Sequence, residues 1–272
     1  MSIKSLKHSL SSLKLAKKAT STLFNDEIFS SLVSRYLDSE TPNNSFINSS
    51  INTSSNAVFY NTIYQLLKNK NLSNEELKAI SLKFKKILTL ELQKNTTLRI
   101  LKGENANHLS NFGGTYDIFP TEFFCNNCRK NFSVKMIDNE TNALNINLFP
   151  TVTTLWSQKK LLNNFYTIGE LINNPFQPED NNRAEFFKSL NLIIIYNGNH
   201  SSNVALYENN NHIENFNTYD ISHWFQEIYY DPKTNTLNHL TCGKTLEPHP
   251  LFHENLGYIY EISRLLFQNQ IS

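Results

Sequence analysis

Three shortages narrow the classes to which this sequence can belong. Only three cysteines occur in 272 residues, too few for a disulfide framework, and two of them form a CxxC pair. That usage suits a metal or redox site in a reducing compartment, so the expected location is cytoplasmic. The formal net charge is only +1, so no whole-molecule field draws the chain to nucleic acid or to an anionic membrane, and any basic surface is local. No apolar run approaches the roughly 18 residues that span a bilayer. Met1 to Ser12 alternates Lys and Ser with Leu and lacks the apolar stretch of a secretory signal. Walker, HExxH, GxSxG and Rossmann patterns are also missing, which removes the enzyme classes those motifs mark.

Charged residues make up only 18% of the chain, and asparagine and serine supply the remaining polarity, favouring turns and caps. An aromatic content of 12%, with 19 Phe and 12 Tyr, excludes disorder over most of the length.

The expected fold class is α+β: a helical N-terminal domain over 1–105, then a mixed α/β domain over 106–272 stapled by zinc. In the first segment Ile3, Leu6, Leu10 and Leu13 recur at helical spacing among Lys4, Lys7, Lys14, Lys17 and Lys18. This reads either as a basic amphipathic helix that meets a partner, nucleic acid or membrane surface, or as a helix packed on its own domain. A helix follows over 26–37, a Ser/Asn/Thr-rich loop over 39–55, and further helices over 56–70 and 73–94. The last opens with a capping box, Ser73 with Glu76, and carries a core stripe of Leu77, Ile80, Phe84, Ile87 and Leu88 with solvated lysines opposite.

Beyond Lys102 the texture changes. Gly113-Gly114 marks a turn, and strands are expected over 116–119, 132–137, 192–196 and 214–219. Helices are expected over 153–163, 201–207, 222–229 and 253–268.

Two short pairs carry metal-binding chemistry: Cys125-Asn126-Asn127-Cys128, and His239-Leu240-Thr241-Cys242 followed by Gly243. A two-residue spacer lets one tight turn offer two ligands, and zinc takes four N or S ligands in a tetrahedron. Cys125, Cys128, His239 and Cys242 therefore make a closed, structural Cys3His set, with His249 and His253 as substitutes for His239. Closing so long a loop removes much unfolded-state entropy. A redox CxxC and a pair of buried unmetallated thiols are the alternatives.

A second constellation is the apolar run Leu192 to Tyr196 leading into Asn197-Gly198-Asn199-His200-Ser201. Strand, glycine turn and helix start present backbone N–H groups to an anion, with His200 as donor or general base and Ser201 as a hydroxyl. Asn197 and Asn199 hold the turn or touch the ligand. The plain alternative is a turn in which Asn-Gly supplies positive φ and His200 is a structural cap. Two weaker groups are Glu179, Asp180 and Glu185, read as a magnesium site or as solvated charges, and Asp220, Ser222 and His223 at a helix start with Ser222 as N-cap.

Gly198-Asn199-His200-Ser201 after a hydrophobic strand, with Trp156 to Asn163 and Thr167-Ile168-Gly169 upstream, resembles an uncharacterised bacterial family marked by a Gly-Asn-His-Ser signature. More remotely, the loop resembles the ParB and sulfiredoxin superfamily, in which a Gly-x-His-Arg turn cradles nucleotide phosphates. Gly198 and His200 match that turn. Ser201 stands in place of its arginine, and Asn199 replaces the reactive cysteine of sulfiredoxins, which excludes their chemistry. The resemblance implies a nucleotide- or phosphate-binding ParB-like module, with a role in bacterial mobile elements or phage defence. The alternative is a non-enzymatic, zinc-stabilised adaptor acting through its basic N-terminal helix.

Overall fold

The computed structural model describes residues 62–65, 67, 72–104, 118–247 and 250–269. The segments expected over 1–18, 26–37 and 39–55, the Gly113-Gly114 turn, His249 and the boundary at 105/106 lie outside them. Of the helix expected over 56–70, residues 62–65 and 67 are described and helical.

Helix α1 (Asn74–Leu101) starts as its sequence dictates. Ser73 Oγ accepts from Glu76 N–H at 3.2 Å, and Glu76 Oε2 accepts from Ser73 N–H at 2.8 Å. Its buried face differs from the expected stripe. Leu77 and Leu88 are buried, but Ile87 is 50% exposed, and the face continues through Ser81, Lys85, Thr89, Leu92, Gln93 and Thr97. The reason lies in its neighbours. Its apolar residues join the core around α4 (Glu254–Gln268), while Gln93 accepts from the Thr153 N–H of the sheet and Thr97 accepts from the Asn203 amide of the helix beside it.

Lys85 does not belong to a solvated face. It is fully buried, and its Nζ donates to Leu190 O at 3.1 Å. Burial pushes its pKa down to about 7. The folded protein then binds this proton less tightly than the unfolded chain does. The penalty is full below that value and is relieved as pH rises toward the ordinary lysine range. Relative to Lys85→Met, the wild type should gain on the order of 1 kcal/mol of stability per pH unit between about pH 7.5 and 9.5. Denaturant titrations at stepped pH measure this, and parallel curves for the two proteins would contradict it.

The central sheet has five strands in the order β3-β9-β6-β7-β5: β3 (Lys135–Ile137), β9 (Asn215–Asp220), β6 (Arg183–Phe187), β7 (Leu192–Asn197) and β5 (Thr151–Thr153). The β5–β7 and β6–β9 pairs are parallel, the others antiparallel. The unbroken apolar run of β7 follows from burial on both faces. Leu192 and Ile194 enter the core with α1 and α4, while Ile193 and Ile195 enter a second core with Ile146, Ala205 and Ile213. A two-stranded ribbon, β4 (Leu144–Asn145) with β8 (His212–Ile213), closes that second core.

Two smaller units complete the mixed α+β fold: the hairpin β1 (Glu122–Cys125) with β2 (Lys130–Ser133), and the meander β10 (Ile228–Asp231), β11 (Thr236–His239) and β12 (Lys244–Thr245). Several expected bounds move. The helix expected over 153–163 begins at Gln158 as α2 (Gln158–Thr167), because the β-branched Thr151, Val152 and Thr153 pair with β7 instead. The helix expected over 222–229 is a 3-10 turn, Ser222–Gln226, followed by β10. Ser222 does not cap it; Asp220 accepts from Ser222 N–H at 3.0 Å and from Ser222 Oγ at 2.8 Å. The helix expected over 201–207 is α3 (Asn199–Ala205). Helix α4 is almost wholly buried, and its Gly257 is required by packing, since a Cβ there would lie 2.1 Å from the Tyr230 ring. Among the described residues no helix is long and apolar enough to cross a membrane.

Candidate functional site

The two cysteine- and histidine-bearing turns are built alike. Cys125 ends β1 opposite Lys130, and His239 ends β11 opposite Lys244. In the first turn Arg129 N–H donates to Cys125 O at 2.8 Å, and in the second Gly243 N–H donates to His239 O at 2.8 Å. The donating residues share a left-handed backbone, φ 58° at Arg129 and 57° at Gly243. Glycine takes that conformation freely, whereas arginine adopts it at a cost. Phe124 and Glu247 exchange backbone hydrogen bonds of 2.8 and 2.9 Å, which clamp one hairpin against the other.

The clamp brings together residues 111 positions apart in the chain. The ligand atoms of Cys125, Cys128, His239 and Cys242 all lie within 4.8 Å of one another. A tetrahedron with zinc–sulfur bonds of 2.3 Å has edges of roughly 3.7 Å, so a small contraction closes it. His239 Nδ1 stands 3.5 Å from Cys128 Sγ, and its Nε2 faces Glu227 Oε2 at 3.7 Å. Nδ1 is thus the atom that a metal ion would meet, with Glu227, itself paired with Lys130, on the far side of the ring. The Phe132 ring packs edge-on against His239 at 5.3 Å. Burial alone would raise the Cys125 thiol, but N–H groups of Cys128 and Asn127 aimed at its sulfur hold it near 6. Cys125 and His239 are buried and Cys128 is exposed, so the group can hold a metal ion at the rim of the core.

This is the one group of three or more such ligands among the described residues. His253 is not part of it; its Nδ1 accepts from Asn255 N–H at 3.1 Å as the N-cap of α4. Glu179, Asp180 and Glu185 form no such group. His223 bonds Ser133 O at 3.1 Å, away from His200.

The second constellation lies at the other end of the sheet's logic. β5 and β7 are parallel neighbours, and each runs into a helix at its C-terminal end, β5 into α2 and β7 into α3. Their helix starts meet. Ser157, the N-cap of α2, donates its backbone N–H to His200 Nε2 at 3.1 Å. Nε2 therefore carries no proton, and the neutral ring holds its hydrogen on Nδ1. Burial first, and the Lys160 charge second, push the His200 pKa down to about 4. The ring is thus a neutral hydrogen-bond donor at pH 7, with its basic nitrogen already engaged.

Other residues of the loop serve the turn. Gly198 has φ +67°, and Asn197 Oδ1 accepts its N–H at 3.0 Å. Asn199 turns inward, accepting from Thr154 N–H at 3.3 Å and donating to Tyr196 O at 3.1 Å. Asn182, which sequence reasoning missed, is buried beneath the loop and donates to Gly198 O, Ser201 Oγ and Ser202 Oγ at 3.0 to 3.3 Å. His200 and Ser201 alone of Asn197 to Ser201 reach a surface cleft of about 840 Å³. The rest of its lining comes from α2 and the residues before it, chiefly Trp156, Lys159, Lys160, Asn163 and Tyr166, and includes no carboxylate.

The comparisons with known proteins add one finding. A family of unknown function, DUF6710, matches residues 40–272. The chain belongs to this family. No curated protein and no solved structure matches it. None of these comparisons supports a relationship to ParB or to sulfiredoxins.

Proposed function

We propose that this member of the family is a nucleotide- or phosphate-binding module whose Cys3His centre holds structural zinc. One observation carries the binding role: a cleft at the C-terminal ends of two parallel strands, where two helix starts converge with Lys159 and Lys160 and no carboxylate. In open α/β sheets, ligands seat at the carboxyl ends of strands, and helix starts favour anions. Two lysines in the first turn of α2, with no acidic residue there, add to that field. His200 Nδ1–H and the Asn163 amide offer neutral hydrogen bonds beside the charges. Because Nε2 is occupied by Ser157, His200 binds rather than acts as a base, and the reading is of recognition without hydrolysis. Thiolates, a buried imidazole and closed four-fold coordination are the donor set zinc prefers in structural sites.

Calorimetric titration of the full chain with pyrophosphate and a panel of nucleoside phosphates tests the binding role. Saturable binding is expected, weakened at least about tenfold when Lys159→Ala and Lys160→Ala are combined, since each charge-assisted contact contributes on the order of 1.5–3 kcal/mol. Absence of saturable binding by every phosphate ligand would overturn the proposal.

A further inference from the structure

Resting on a phosphate-binding cleft between α2 and α3, we propose that its ligand is single-stranded nucleic acid rather than a free nucleotide. The first ground is the surface α2 offers. Leu161 is the only buried residue of the helix, whereas Phe165 and Tyr166 face solvent, and Trp156 stands just before its N-cap. Trp156 is 42% exposed and Tyr166 79% exposed, and both line the cleft.

Spacing is the second ground. Lys159, Asn163 and Tyr166 fall at helical positions i, i+4 and i+7, so they share one face of α2. At about 1.5 Å rise per residue, Lys159 and Tyr166 are separated by roughly 10 Å along the axis, with Trp156 beyond Lys159. The two aromatic surfaces therefore stand at opposite ends of the cleft, too far apart to hold one base between them. Two bases, one at each ring, with phosphates on the lysines between, fill the same surface. That is the chemistry of a strand whose bases are free to stack on side chains, and a duplex offers no such faces.

A third ground is electrostatic. The chain as a whole is nearly neutral at +1, yet the cleft lining carries lysines and amides and no carboxylate. Lys160 Nζ lies over one face of the Trp156 ring at 5.3 Å, which fixes a cation against the indole and leaves stacking to its other face and to Tyr166. The His200 ring meets Trp156 edge-on at 4.3 Å and fixes the indole's orientation. Backbone charge and base faces, with no base-edge code, predict sequence-tolerant binding.

Fluorescence anisotropy of the full chain tests this with four probes: a twelve-nucleotide thymidine DNA, a twelve-nucleotide uridine RNA, a mixed-sequence duplex and the corresponding mononucleotides. At least one of the single strands should bind ten times or more tightly than the duplex and the mononucleotides, with affinity falling as salt rises. Tyr166→Ala, at a highly exposed site where folding is unaffected, should weaken strand binding roughly tenfold, as loss of one stacked base does. A difference between the DNA and RNA arms identifies which strand is bound, and either supports the inference. Mononucleotides binding as tightly as the strands would overturn it while leaving the phosphate cleft standing. Duplex binding equal to the single strands, or strand binding untouched by Tyr166→Ala and Lys159→Ala, would also overturn it. No binding of any probe would overturn the cleft reading as well.

Discussion

Cys242→Ser is expected to strip the protein of its metal and to lower the thermal midpoint by roughly 10 °C. Serine keeps the size of the side chain but is a poor zinc ligand, so the change removes coordination and little packing. The two hairpins belong to segments far apart in the chain, and the centre adds to the Phe124–Glu247 bridge, the Asn126–Glu247 and Lys130–Glu227 side-chain pairs, the Phe132–His239 ring contact and the shared core in joining them. Metal-binding free energy is folding free energy when the site forms only in the folded chain. A loss of about 3–5 kcal/mol is therefore expected, and at roughly 2–4 °C per kcal/mol for a chain of this size the midpoint falls by about that much. Elemental analysis and thermal melts on the same preparations read both effects. A variant that keeps its metal, or melts with the wild type, would contradict the assignment of Cys242.

Gly198→Ala should cost about 3 kcal/mol, although it adds a single methyl group. Its φ of +67° disfavours any L side chain, by roughly 1 kcal/mol for alanine. The added Cβ would also lie 2.2 Å from Asn182 Nδ2 and 3.0 Å from Asn182 Cα, so the backbone as well as the amide must give way. Moving Asn182 breaks its bonds beneath the loop, including acceptance from Glu179 N–H at 2.8 Å. Combining Gly198→Ala with Asn182→Ala should cost clearly less than the sum of the single changes, because the second substitution removes much of the clash. Denaturant unfolding of the four proteins measures the coupling, and additive losses would refute this account of the loop.

Much of this site was legible in the sequence because its signals are local. A CxxC and an HxxC each describe one turn, and a turn of four residues is dictated by its own backbone. The pairing of the two turns was legible only through chemistry, since zinc needs four ligands and each pair supplies two. Likewise the run Leu192 to Ile195 announced a strand buried on both faces, and Ser73 with Glu76 announced a helix start. What stayed hidden depends on distant partners. Lys85 reads as a surface lysine when the core stripe is drawn through Ile80, Phe84 and Ile87, and only the fold places it against Leu190 O. Asn182 sits in an unremarkable polar loop, sixteen residues before the glycine it supports. Glu227 gains its role only because β10 and β11 pair and bring His239 beside it. The β-branched Thr151 to Thr153 could continue a helix or pair with β7, and the open edge of β7 decided for the strand.

The most direct test of the central claim is the zinc content of wild-type protein purified without chelators or added metal. Elemental analysis should find about one zinc per folded chain, retained through dialysis and lost with unfolding. Protein that is folded, reduced and free of zinc would contradict the claim that Cys125, Cys128, His239 and Cys242 form a structural zinc centre.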